Sequence, residues 1–175
     1  MNPSSAGKKW THTGLKEVRA SSNSRLTLLV APAGSGKTRL LRLWAEELRA
    51  REEPIAWLSL VFEDNNPGRF WADLFEALKA IYPLDLPAQT EDMEAAIISL
   101  INDLAGLPAK LVLILDDYHV ITNEAVHQAI RLILDYPPSN LQLVIASRSE
   151  PPLQIPRLRA RRQLNEVRCE IEAEL

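Results

Sequence analysis

The sequence contains a single cysteine, Cys169, among its 175 residues, so neither an internal disulfide nor a multi-cysteine metal site can form. No apolar run approaches the roughly 18 residues that a membrane-spanning helix requires. The first residues lack the apolar core of a secretory signal. A net charge of −3 argues against sequence-independent nucleic-acid binding over the whole surface. These absences predict a soluble, cytoplasmic chain.

The remaining composition is that of a folded domain. Hydrophobic residues make up 46% of the chain, which excludes a disordered protein. Residues 1–24 are polar and without periodicity, and we predict a flexible N-terminal arm with a short helix near residues 15–18. The hydrophobic pattern begins at Arg25, and residues 25–175 are predicted to form one domain.

Five short apolar runs alternate with segments of helical periodicity. The runs lie at residues 26–30, 55–60, 111–115, 141–146 and, weakest, 166–169. Between the first two runs, Leu40, Trp44 and Leu48 recur every four residues, as on the buried face of a helix. Strands that alternate with helices predict an α/β fold with a parallel sheet covered by helices on both faces.

Local signals predict where the helices begin and end. Asn66 is a suitable cap with Pro67 at the first helical position, and an apolar stripe from Phe70 to Tyr82 follows. Thr90 is a candidate cap for the next helix, since acidic residues come directly after it. Two prolines at 137–138 are predicted to end the last long helix.

Residues 31–38 join the first predicted strand to the first long helix and carry the most specific motif. The phosphate-loop pattern G-x-x-x-x-G-K-[ST] is matched at Gly36, Lys37 and Thr38, with Ala31 in place of the first glycine. Glycines allow successive N–H groups to point at phosphate oxygens, and the helix N-terminus adds its positive dipole. The motif therefore predicts nucleotide binding rather than a simple glycine-rich turn. The residues predicted to contact the nucleotide are Ala33, Gly34, Ser35, Gly36, Lys37, Thr38 and Arg39.

An acidic pair, Asp116 and Asp117, follows the third apolar run. In phosphate-loop enzymes such a carboxylate reaches the Mg²⁺ of the nucleotide, so Thr38 and Asp116 are the predicted Mg²⁺ ligands. Asp117 is a candidate for orienting the attacking water. Two aspartates that merely cap a turn are the simpler alternative. His119, two residues further on, is either a hydrogen-bond partner of a carboxylate or, more commonly for such a loop residue, structural.

Arg148 follows the fourth apolar run, at the edge of the sheet where ligands of α/β folds bind. Its planar guanidinium suits a γ-phosphate, with an ordinary salt bridge as the alternative. The predicted catalytic set is Lys37, Asp116, Asp117 and Arg148. Four further arginines, at 157, 159, 161 and 162, are open to three interpretations: a DNA-binding patch, an arginine that acts on a neighbouring subunit, or a solvated helix face, which is the commonest.

These blocks together resemble the nucleotide-binding, NACHT/NB-ARC-like domain of MalT-like, LuxR-type bacterial transcription regulators, which are ATPases of the STAND class. The resemblance covers about residues 25–165. Beyond the phosphate loop it rests on four blocks, at residues 56–60, 65–71, 113–119 and 144–148, and on the proline- and arginine-rich stretch at 151–161. Residues 61–64 depart from the family by being more apolar than its acidic linker.

The resemblance implies a three-layer, ASCE-type P-loop fold whose five parallel strands have the order 5-1-4-3-2. It also implies binding of ATP or ADP with Mg²⁺, slow hydrolysis, and self-association with ATP under control of an inducer. The partners would be the nucleotide and other domains of a longer regulator, with no direct DNA binding by this piece. The alternatives are a small kinase that phosphorylates a metabolite and an interaction domain that binds nucleotide without hydrolysing it.

Overall fold

The computed structural model describes residues 12–19, 24–86 and 89–168. Within these residues the chain forms five strands and six helices, joined in two places by short 3₁₀ turns at Phe62–Asn65 and Tyr118–Val120. The strands are β1 Leu26–Val30, β2 Ile55–Ser59, β3 Leu111–Asp116, β4 Leu141–Ser147 and β5 Leu164–Arg168. The helices are α1 His12–Arg19, α2 Lys37–Ala50, α3 Pro67–Lys79, α4 Met93–Ala105, α5 Glu124–Asp135 and α6 Ile155–Ala160.

All strand pairs are parallel, and the sheet order is β2-β3-β4-β1-β5. This order confirms the predicted arrangement 5-1-4-3-2. The middle strand is β4, with β3 and β1 beside it, and every residue of β3 and β4 is buried. Such strands are covered on both faces, which confirms the three-layer α/β architecture.

Alternate residues of the central strands face two separate hydrophobic clusters. In β3, Leu113 packs into the larger cluster with α3, α4 and α5, whereas Ile114 packs into a smaller one with α1 and α2. The side-chain period of two along a strand produces this division. The largest fully buried side chain is Trp71 of α3, which lies in the larger cluster. Helices on both faces therefore hold the sheet rigid beneath its carboxyl edge.

The bounds of two predicted elements need correction. The weakest strand, predicted at residues 166–169, begins earlier, at Leu164, and pairs with β1 from Leu26 onward. It is an edge strand with one partner, so its apolar pattern is short; Cys169 lies outside the described residues. Helix α3 ends at Lys79, although its apolar stripe continues through the half-buried Tyr82 of the following turn.

The helix caps follow the sequence signals with one exception. The Asn66 side chain accepts a hydrogen bond from the Arg69 N–H at 3.1 Å and caps α3, as predicted. Asp92, rather than Thr90, caps α4, because its carboxylate accepts from the Ala95 N–H at 3.0 Å. The Thr90 hydroxyl instead accepts from the N–H of Asp92 at 3.1 Å and shapes the turn that precedes the helix.

The helix expected near residues 15–18 is α1, within the predicted arm. Its Val18 is fully buried beside α2, and its Glu17 carbonyl accepts a hydrogen bond from the Asn165 side chain at 2.9 Å. Arg19 forms a bidentate ion pair with Glu47 of α2. The described helix of the arm is therefore anchored to the domain, while the boundary at Arg25 stays a prediction.

A buried polar pair joins the turn after β3 to α5. The Tyr118 hydroxyl lies 2.9 Å from Nδ1 of His127, and both side chains are almost completely buried. Burial lowers the pKa of His127; the charge of Glu124 opposes this with a smaller effect, and Arg131 lowers the pKa with a smaller effect still. The neutral imidazole is consequently the form that the fold accommodates.

We predict that acid destabilises the domain through His127. Because the pKa of His127 in the folded chain lies below the ordinary value of about 6.5, the unfolded chain binds this proton more readily. The free energy of unfolding should therefore decrease as the pH falls below about 6.5, by at most about 1.4 kcal/mol per pH unit for one proton. Urea unfolding at several pH values measures this slope. His127→Gln should make it shallower; an unchanged slope would assign the effect to other groups.

Candidate functional site

The loop between β1 and α2 has the backbone that the phosphate-loop motif requires. Gly34 and Gly36 adopt left-handed conformations, with φ of +73° and +86°. A side chain would be strained at either position, so both glycines are needed for their backbone conformation, and at Gly34 the space for a Cβ is open. Ala31 does not adopt a positive φ, and for this reason alanine replaces the first glycine of the pattern without strain.

Lys37 begins α2 and folds back over the loop. Its Nζ donates hydrogen bonds to the carbonyls of Ala31 at 2.7 Å and Pro32 at 3.1 Å, and only 6% of the residue is exposed. These carbonyls hold the ammonium group beside the loop. In phosphate-loop proteins a lysine at this position brings its positive charge close to the β- and γ-phosphates of the nucleotide.

Thr38 and Asp116 meet at the carboxyl edge of the sheet although 78 residues separate them. The Thr38 hydroxyl donates to Oδ2 of Asp116 at 2.8 Å. Asp116 is the last residue of β3 and is 1% exposed, and its Oδ1 accepts from the Asp117 N–H at 2.9 Å. The two predicted Mg²⁺ ligands therefore lie side by side.

Asp117 leaves the strand at once, with a φ of +58°. Successive strand residues point to opposite faces, but β3 ends at Asp116, so Asp117 is free of this alternation. It lines the same cavity as Thr38. The acidic pair is therefore close to a single site, Asp117 in the cavity lining and Asp116 through Thr38.

A cavity of about 250 Å³ lies over the loop at the carboxyl edge of the sheet. Its lining unites most of the residues predicted from the sequence: Ala33, Gly34, Gly36, Lys37, Thr38, Asp117 and Arg148. Ser35 is buried beneath the loop, and Asp116 reaches the cavity through Thr38. Arg39 is exposed on α2 and is not part of this lining.

His119 lies in the 3₁₀ turn after Asp117. Its Nδ1 is buried and has no hydrogen-bond partner among the described residues. Burial lowers the pKa of His119, and the positive charge of Arg148 lowers it further. The imidazole is therefore neutral near pH 7. Its Nδ1, which has no hydrogen-bond partner among the described residues, lies near the charged side chains of Arg148 and Asp117.

Two of the four arginines at 157–162 form ion pairs on the surface. Arg159 contacts Glu166 at 2.7 Å and Glu150 at 3.2 Å, and Arg157 lies 3.6 Å from Asp135. Paired, exposed arginines are typical of a solvated helix face, the commonest of the three interpretations.

Sequence reasoning assigned no role to Asn65, which reaches across to the loop after β3. Its side chain contacts Val120, Thr122 and Asn123, which lie at least 55 positions further along the chain. An asparagine beside a second asparagine and a proline is typical of a turn, so the sequence signal did not separate Asn65 from an ordinary turn residue.

Two other features, a metal-binding cluster and a membrane-spanning helix, are absent from the described part of the chain. No group of three or more histidine, cysteine, aspartate or glutamate side chains is placed to hold a metal ion there. None of the helices described is long and apolar enough to cross a membrane.

A phosphate loop after the first strand, an acidic end of the third strand beside it and a parallel sheet of this order define an AAA-type P-loop NTPase domain. The chain belongs to this family: the AAA domain model matches residues 19–150.

The chain is homologous to the nucleotide-binding region of MalT regulators. It is 38% identical over 161 residues to the HTH-type transcriptional regulator MalT of Serratia proteamaculans, and 37% identical to that of Yersinia enterocolitica. Each alignment covers 87% of this chain and 17% of the relative. The chain thus spans only a small part of the length of these relatives.

Solved structures of lower sequence similarity share the fold. Cdc6p from Pyrobaculum aerophilum superposes with a TM-score of 0.64 at 17% identity, over 96% of this chain and 48% of that chain. The ORC1 protein of Aeropyrum pernix gives a TM-score of 0.65 at 17% identity, over 96% of this chain and 47% of that one. The likeness concerns the architecture of the sheet and its helices.

Proposed function

We propose that this domain binds ATP and ADP with Mg²⁺, hydrolyses ATP slowly, and acts as a nucleotide-controlled switch in a MalT/LuxR-type transcription regulator of the cytoplasm. The observation that carries the proposal is the juxtaposition of the phosphate loop with the Thr38–Asp116 pair, 2.8 Å apart, below a cavity that Asp117 and Arg148 also line. Family membership supports the same conclusion.

The residues of the site fit a magnesium-bound nucleotide. Thr38 and Asp116 supply a hydroxyl and a carboxylate, and Mg²⁺ prefers oxygen ligands of this kind. Gly34 has no heavy atom within 4 Å of where a Cβ would stand, so the loop leaves room above its backbone. In the proposal, Thr38 and Asp116 hold Mg²⁺, which when bound neutralises charge on the phosphate oxygens.

Each of the other side chains has a proposed task of its own. Lys37 exchanges its hydrogen bonds with the Ala31 and Pro32 carbonyls for contacts to the β- and γ-phosphates. Asp117, which also lines the cavity, orients the attacking water. Arg148 contacts the terminal phosphate, which is present in ATP and absent from ADP.

A switch requires that the two nucleotides stabilise different states. A ligand shifts a conformational equilibrium only by the difference between its affinities for the two states. We propose that ATP favours a self-associating state and ADP a resting state. The other domains of the regulator respond to this change, and DNA contact belongs to them rather than to this piece.

Calorimetry with ATP, ADP and Mg²⁺, followed by a phosphate-release assay and sedimentation with each nucleotide, tests the proposal. We expect binding of both nucleotides, slow release of phosphate, and self-association with ATP. Binding without release would favour the interaction-domain alternative, and release that requires an added metabolite would favour a kinase. Absence of binding would refute the proposal.

We predict that Arg148→Ala weakens ATP binding about tenfold and leaves ADP binding nearly unchanged. In its proposed role the exposed guanidinium contacts only the terminal phosphate, and one charge-assisted hydrogen bond is worth about 1.5–3 kcal/mol. Competition of both nucleotides against a fluorescent ADP measures the ratio of affinities. Arg161→Ala is the control, since this exposed arginine lies after α6, outside the cavity lining. Equal losses for ATP and ADP would contradict the assigned role.

A further inference from the structure

We propose that Asn65 is a positioning residue that holds Asp117 and its loop against the nucleotide site. The proposal rests on the proposed nucleotide-binding function and assigns to it a residue that does not touch the cavity. Asn65 ends the 3₁₀ turn after β2. β2 is the edge strand of the sheet, and β3 and β4 separate it from β1, which the phosphate loop follows.

The Asn65 side chain connects two loops through both polar atoms of its amide. Its Nδ2 donates to the carbonyls of Phe62 and Val120, both at 2.9 Å. Its Oδ1 accepts from the N–H of Thr122 at 2.7 Å and of Asn123 at 3.0 Å, and from the Thr122 hydroxyl at 3.2 Å. Carbonyls on one side and donors on the other allow a single orientation of the amide. We call this set of contacts the Asn65 clamp.

The clamp acts on the loop that begins with Asp117. This loop leaves β3 with Asp117 in a left-handed conformation, which aspartate adopts more readily than most residues, and the Asp117 N–H donates to Asp116 Oδ1. Two side-chain attachments hold the rest of the loop: the Tyr118 hydroxyl bonded to His127, and the Asn65 clamp at residues 120–123. The first holds the beginning of the loop against α5, and the second holds its end against the turn after β2.

Loss of the clamp therefore leaves the end of the loop held by α5 and by Ile121, which is buried in the larger cluster, and removes its hydrogen bonds to the turn after β2. Asn123, at this end, caps α5 by accepting from the Ala125 N–H at 2.8 Å. Without Asn65, the N–H groups of Thr122 and Asn123 and the carbonyl of Val120 lose their partner and rearrange toward water. Asp117 and His119, which lie in the same loop, then lose their fixed position relative to Arg148 and the phosphate loop.

The two neighbours of Asn65 have contacts of a different kind, so they provide a control. Asp64 is buried, accepts from the Val61 N–H at 2.8 Å and lies 3.8 Å from Arg69, within its own turn and helix. Asn66 caps α3 through the Arg69 N–H. Of these three consecutive polar residues, Asn65 is the one whose hydrogen bonds reach the loop after β3 in the described structure.

The test compares Asn65→Ala with Asn66→Ala in the full chain. Both variants remove an asparagine amide from the same turn, and circular dichroism and urea unfolding report the fraction that is folded. We expect Asn65→Ala to lower the rate of ATP turnover about tenfold, because displacement of a positioned group by a fraction of an ångström has an effect of this order. The ADP affinity, which depends on the phosphate loop, should change by less than about threefold. Asn66→Ala should leave both quantities near those of the native chain.

A double variant separates positioning from general loosening of the fold. If Asn65 acts through Asp117, Asn65→Ala should lower the rate of ATP turnover little further in a chain that already carries Asp117→Asn. Three outcomes would overturn the proposal. The losses of turnover from Asn65→Ala and Asp117→Asn could multiply in the double variant, Asn65→Ala and Asn66→Ala could lower turnover equally, or Asn65→Ala could lower ADP affinity and turnover together.

A second measurement does not depend on turnover. Amide hydrogen exchange of residues 117–123 is compared with ADP and with a slowly hydrolysed ATP analogue, each with Mg²⁺. We expect greater protection with the analogue in the native chain and in Asn66→Ala, and loss of this difference in Asn65→Ala. The same difference in all three chains, or none in a native chain that binds both nucleotides, would refute the role of Asn65. A native chain that binds neither would instead refute the proposed function.

Discussion

Lys37→Ala is expected to lower the affinity for both ADP and ATP, with Mg²⁺, by at least about 100-fold, which corresponds to about 2.8 kcal/mol. The variant removes the buried ammonium group that the Ala31 and Pro32 carbonyls hold beside the loop. No other cationic group of the cavity lining stands on the phosphate loop itself, within the part of the chain that the structure describes. Calorimetry with each nucleotide measures the loss.

Arg42→Ala is the matched control for this substitution. It also removes a cation from α2, but Arg42 is exposed one turn further along and lies outside the cavity lining. Its affinities should stay within about twofold of those of the native chain, since long exposed side chains contribute little at a distance. Native-like binding by Lys37→Ala, with the fold confirmed by circular dichroism, would place the nucleotide elsewhere.

Asp116→Asn should lower the rate of ATP hydrolysis about 1,000-fold, or about 4 kcal/mol of activation free energy. The amide has nearly the same shape, so its oxygen can still accept from the Asp117 N–H and the fold should persist. What disappears is the negative charge beside Thr38, and with it much of the attraction for Mg²⁺. A phosphate-release assay over a range of Mg²⁺ concentrations measures both effects.

The same chemical change at Asp92 supplies the comparison. Asp92 caps α4, where asparagine is an equally good cap, so Asp92→Asn should leave turnover and stability close to those of the native chain. Nucleotide binding measured with excess EDTA should differ little between Asp116→Asn and the native chain. Full activity of Asp116→Asn would show that this carboxylate does not hold the metal.

The predictions that depend on local chemistry were the ones that the structure confirms in detail. The glycines of the phosphate loop, the asparagine cap of α3 and the apolar strands β1, β3 and β4 all follow from preferences of neighbouring residues. The order of the strands came from the resemblance to a family and not from their periodicity.

Each misplaced feature has its own physical cause. β5 is an edge strand with a weak apolar pattern, so its start at Leu164 is determined by pairing with β1 rather than by its own residues. Thr90 and Asp92 are both acceptable caps, and the fold uses Asp92 because its carboxylate meets the Ala95 N–H.

The phosphate loop between a buried strand and a helix, and the acidic pair after another strand, could be predicted from the sequence alone, because each depends on residues adjacent in the chain. The 2.8 Å contact between Thr38 and Asp116, and the hydrogen bonds of Asn65 to residues 120–123, could be seen only once the chain was folded. The cause is the parallel sheet: it brings the carboxyl ends of β1, β2 and β3 to one edge, so loops distant in sequence meet there.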